Sequence, residues 1–89
     1  MDDVQQLGEM LRHYADSEAQ GYYQPGYEWG ASLRQYRVSW DQFGPYLEQY
    51  VVPATPAAQD AFRRGFIEAF GGNAEALYDR AMRRASLQG

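Results

Sequence analysis

Apolar positions recur at steps of three and four along most of this chain, and the polar residues between them fall on the opposite side. The clearest such stretch runs from Thr55 to Gly72. Ala58, Phe62, Phe66, Ala69 and Phe70 share one helical face, whereas Asp60, Arg63, Arg64 and Glu68 take the other. Thr55 followed by Pro56 is a helix opening, because the hydroxyl caps an orphan amide and proline at the first helical position wastes no donor. Gly71 and Gly72 supply the left-handed conformation that closes a helix. Gly65 falls inside the buried stripe, where glycine costs about 0.8–1 kcal/mol relative to alanine. The expected compensation is close approach by another helix. The segment carrying Trp29 and Leu33, with small Gly30 and Ala31 beside them, is the expected neighbour. On this reading Gly65→Leu destabilises strongly, while Gly65→Ala costs little, or even stabilises if the gap is loose.

The same periodicity predicts a first helix from Asp3 to about Gln20, with Val4, Leu7, Leu11 and Tyr14 on its apolar face and Gly21 as its stop. Tyr22 to Tyr27 reads as a connector, because Pro25 and Gly26 punctuate helix and strand alike. Trp29, Leu33, Tyr36 and Trp40 return to helical spacing and predict a helix from about Tyr27 to Arg37. Ser39 with Gln42 three residues on resembles a capping box. Gly44 and Pro45 are expected to interrupt what it starts, leaving a turn or short helical piece at 40–43 and a helix from Pro45 to about Val51. That helix would place Tyr46, Leu47, Tyr50 and Val51 on one side. After Gly72, Asn73 caps a last helix from Ala74 to about Ala85, striped by Leu77, Tyr78, Ala81, Met82 and Ala85, and Ser86 to Gly89 is expected to fray. Arg80, Arg83 and Arg84 lie near its C-terminal end, where positive charge is favourable.

These elements predict an all-α fold: residues 1–89 as a single helical domain, a bundle of four to five helices ending in an antiparallel helical hairpin. The alternative is α+β. Tyr36 to Trp40 alternates apolar and polar, and Tyr50-Val51-Val52 would suit a strand, so a short hairpin could pair 36–40 with 49–52.

Composition narrows the function. The net charge is −4, and residues 1–30 carry six acids against Arg12 alone. That balance opposes general affinity for nucleic acid or anionic membranes. No apolar run is long enough to insert in a membrane. The N-terminus lacks a signal-peptide pattern, so the default expectation is a cytoplasmic protein. A mature secreted or envelope protein with its signal removed would read the same. All eight basic residues are arginine, and cysteine is absent, which removes disulfides, thiolate metal sites, thiol nucleophiles and Schiff-base lysines.

Candidate chemistry is thin. His13 has Glu9 and Asp16 on its helical face, but a bundle metal site needs matching ligands from a second helix, and no Glu-x-x-His pair recurs. Ser17 lies near His13 without any nucleophile-elbow glycines. No phosphate-binding glycine loop is present. No catalytic, metal or cofactor residue is therefore assigned, and the chain reads as a non-enzyme.

What remains is aromatic. Ten of the fourteen aromatic residues lie between Tyr14 and Tyr50, more than a core of this size hides completely. Clustered exposed rings mark interaction surfaces. Tyr22, Tyr23, Tyr27, Trp29, Tyr36, Trp40, Tyr46 and Tyr50 are the candidate binding residues. The leading expectation is a protein-interaction or self-assembly module that meets a protein partner or a second copy of itself on this surface. The alternative is an aromatic-lined groove for a small ligand or peptide, to be recognised as a concave site holding Trp29 or Trp40 with a few converging polar groups.

Overall fold

The computed structural model describes residues 19–88. The expected face of Val4, Leu7, Leu11 and Tyr14, and the group of His13, Glu9, Asp16 and Ser17, lie outside the described residues. Within them the architecture is all-α, and the strand alternative fails: 36–40 is a turn leading into a helix, and Tyr50 to Val52 ends a helical segment.

The first helix, α1, runs unbroken from residue 19 to residue 34. Gly21 is not a stop, and Pro25-Gly26 is not a connector. A proline inside a helix forfeits a backbone hydrogen bond and costs about 3 kcal/mol, so something must outweigh it. The offset is at Gly26 and Gly30, both buried against the helix that starts at Pro56. At its end α1 turns sharply. Tyr36 sits at φ 60°, its amide donating to the Leu33 carbonyl at 3.2 Å and that of Arg37 to the Ser32 carbonyl at 2.9 Å. This pair of bonds is a Schellman ending, in which the left-handed residue is usually glycine.

Helix α2 spans Trp40–Tyr46, with extended Ser39 before it and the Gln42 side chain accepting from the Ser39 amide at 3.4 Å. Gly44 and Pro45 do not interrupt it, although Pro45 offers no amide to the carbonyl of Asp41. The ladder instead widens into a π-helical turn over Leu47–Val51, with the Val52 amide donating to the Leu47 carbonyl at 2.7 Å. Leu47 and Val51 are fully buried there, whereas Tyr50 turns outward. The Gln59 amide group ties the following loop down, donating to the carbonyls of Val52 at 2.9 Å and Ala54 at 3.1 Å.

Helix α3, Pro56–Phe70, begins as its sequence predicts, with the Thr55 hydroxyl accepting from the Ala58 amide at 3.2 Å. Ala58, Ala61, Phe62, Gly65, Phe66 and Ala69 are buried along it, and Phe70 is half-buried. Gly71 and Gly72 both take positive φ, and the chain reverses into α4, Ala74–Gln88. Helical backbone thus continues three residues past Ala85, where fraying was expected. Across this hairpin the Arg63 guanidinium pairs with Asp79 at 3.0 Å and with Glu75 at 2.9 Å. Donation from Arg63 holds the Asp79 carboxyl below its ordinary value.

Phe43, Leu47, Val51, Phe62 and Phe66 form the centre of the core. Phe43 stacks on Phe66 at 5.2 Å, and Tyr78 closes on Phe66 at the same distance. The Tyr78 hydroxyl is buried with no hydrogen-bond partner among the described residues, and burial pushes its pKa up. Beside this core, α1 crosses α3 with almost no side chain between them. A Cβ added at Gly26 would strike the Phe62 carbonyl, one at Gly30 would come within 2.6 Å of the Phe66 carbonyl, and one at Gly65 would strike the Tyr23 carbonyl and approach the Tyr27 amide at 2.9 Å. The expected close approach at Gly65 is therefore present, and its neighbour is the helix carrying Trp29, Leu33 and Gly30. The gap is not loose. Alanine at Gly65 has no room, which withdraws the mild outcome foreseen for it.

Candidate functional site

The eight candidate aromatics do not form one surface. Trp29, Tyr46 and Tyr50 make a chain of rings between α1 and the α2–π segment, with centroids 4.9 Å and 5.0 Å apart. Tyr22 lies close enough to this chain to act on the Tyr46 phenol, whose pKa is raised chiefly by burial. Three of these four side chains are half-buried and packed against the core, and only Tyr50 is mainly exposed. Tyr23 and Tyr27, 6.3 Å apart, straddle the backbone approach at Gly65. The Tyr23 hydroxyl donates to Glu68, and that bond raises its pKa. Tyr22, Trp29 and Tyr46 are packed on the core and Tyr23 is tied to α3, whereas Tyr27 and Tyr50 stay exposed.

Tyr36 and Trp40 stand apart. Tyr36 is 92% exposed on its left-handed turn, and no described ring packs on it. Trp40 sets one edge on Phe43, Phe66 and Phe70, at centroid distances of 5.8, 6.2 and 6.0 Å, yet stays 41% exposed. Its open side faces a groove of about 530 Å³ between α2 and α4. Trp40, Asp41, Gly44 and Pro45 form one wall. The other wall is α4, contributing Leu77, Ala81 and Ala85 with the guanidinium side chains of Arg80 and Arg84.

The groove has a local cause in the sequence. The apolar stripe of α4 is wider than the core it covers: Tyr78 and Ala85 are buried, while Leu77 and Ala81 remain half-buried. Opposite them α2 presents Gly44 and Pro45, a residue with no side chain and one with a short ring, so the stripe is left partly uncovered. Sequence reasoning selected Trp40 but missed the other lining residues. It read Gly44-Pro45 as a break, and Arg80 and Arg84 as dipole partners. The available signal was the pair Arg80 and Arg84, four residues apart and flanking Leu77 and Ala81.

Among the described residues no group of three or more histidines, cysteines, aspartates or glutamates is placed to hold a metal ion. No described helix is long and apolar enough to cross a membrane. Set against known protein families, curated proteins and solved structures, the chain matches none.

Proposed function

We propose that this protein is a non-enzymatic docking domain whose partner lies in the groove between α2 and α4. The observation that carries the reading is a half-exposed tryptophan at the edge of a concave, mainly apolar site of about 530 Å³ with two arginines and one aspartate converging on it. That size lies within the range of ligand and peptide sites. A tryptophan with a rigid aromatic footing and an open face is the kind of side chain that dominates docking energetics. The reading joins the two expectations: the partner is that of an interaction module, but the site is the concave aromatic groove of the alternative, and of the eight candidate aromatics only Trp40 lines it. Tyr22, Trp29 and Tyr46 then serve mainly as packing.

Amide-shift mapping with a small library of aromatic and aliphatic fragments tests this. Shifts concentrated at Gly44, Leu77, Ala81 and Arg84 are expected. Shifts concentrated along Tyr22, Trp29, Tyr46 and Tyr50 would move the site to that seam and end the groove reading.

A further inference from the structure

Building on that docking reading, we infer that the occupant of the groove is an extended acidic peptide segment of a partner protein, with an apolar or aromatic side chain seated beside Trp40 and carboxylates held by Arg80 and Arg84. Charge complementarity argues for the acid. Arg63 and Arg64 are both engaged with carboxylates, and Arg83 is close enough to Asp79 to lower its pKa. Arg80 and Arg84 make no ion pair among the described residues, although Asp41 lines the same groove. Two like charges four residues apart oppose the helix that carries them. A bound carboxylate turns that opposition into a paired fork, for which guanidinium is better shaped than ammonium.

The shape argues for a peptide. The groove is half open: Gly44, Leu77, Ala81 and Ala85 form its more buried floor, while Trp40, Asp41, Pro45, Arg80 and Arg84 stand exposed around it, so part of an occupant stays in solvent. Small-molecule sites bury most of their ligand. An extended chain needs only its anchor covered. Asp41 argues against a polyanion such as nucleic acid, because it repels negative charge placed on the α2 side of the groove. It tolerates an occupant whose carboxylates sit toward α4 and whose apolar group and amides sit toward α2.

The test is calorimetric titration of the full chain with blocked tetrapeptides at low salt. Glu-Glu-Phe-Glu is the probe, compared with Gln-Gln-Phe-Gln, Glu-Glu-Ala-Glu and Lys-Lys-Phe-Lys. The acidic phenylalanine peptide is expected to bind about tenfold more tightly than its glutamine counterpart, as two solvent-facing ion pairs allow. The same advantage should disappear in the double variant Arg80→Glu, Arg84→Glu and shrink as salt is raised. Both substituted positions are exposed, and circular dichroism checks that the variant keeps its fold. Equal binding of the glutamine peptide, or an unchanged preference in the double variant, overturns the acidic assignment and leaves the docking groove standing. Equal binding of the alanine peptide overturns the apolar anchor. Failure of every peptide while fragments still map to the groove overturns the peptide occupant alone. Failure of fragments and peptides together overturns both proposals.

Discussion

Two helix contacts in this molecule use small residues for opposite ends. Where α1 crosses α3, Gly26, Gly30 and Gly65 remove side chains so that two backbones can touch, and no space is left. Where α2 faces α4, Gly44 meets no atom within 4 Å of an added Cβ, and the small residues leave a groove. Glycine alone therefore does not mark either close packing or a binding site. What decides is the opposing surface. Against α1, the stripe of Ala61, Gly65 and Ala69 on α3 is as small as its partner, so the helices close. Against α2, the stripe of α4 is broader than the helix facing it, so the contact stays open.

The largest expected effect is on the closed side. Gly65→Leu should cost more than about 3 kcal/mol and leave little folded protein, since overpacking here meets main-chain atoms that cannot rotate away. Gly65→Ala should cost about 1–3 kcal/mol for the same reason, despite alanine's better helix propensity. Chemical denaturation measures both. A neutral Gly65→Ala would mean that α1 moves outward readily and that the crossing is not closed.

A smaller effect of opposite sign is expected where α1 ends. Tyr36 holds a left-handed conformation that costs a non-glycine residue about 1–2 kcal/mol, and its ring is almost wholly in solvent. Tyr36→Gly should therefore raise the thermal midpoint by a few degrees, about 4–8 °C per kcal/mol for a domain of this size. A fall in midpoint would show that the ring contributes packing that outweighs the strain.

The closed side was partly legible in the sequence, because Gly65 in the middle of an apolar stripe poses a question that only a close neighbour answers. The boundaries of that neighbour were not legible. Pro25 and Gly26 carry strong local stop signals, and the burial that overrides them is supplied by α3, far along the chain. Phe43 was not legible as the centre of the core because Gly44-Pro45 reads as the end of its helix, whereas Leu47 and Val51 were legible as one side of the next segment and are both buried there. The open side was legible only in part. Trp40 stood out by type, whereas Arg80 and Arg84 line the groove only because α2 presents glycine and proline opposite them.

The most direct test of the contrast, and of the function placed on its open side, is to fill the groove. Ala81→Trp adds a large ring to a half-buried position where the lining leaves room. Stability and binding of the Glu-Glu-Phe-Glu peptide are read on the same sample. The account predicts stability within about 1 kcal/mol of the parent, since the ring gains apolar burial without striking main chain, together with loss of peptide binding. A filled protein that binds the peptide unchanged, or one that unfolds as Gly65→Leu is expected to, would contradict it.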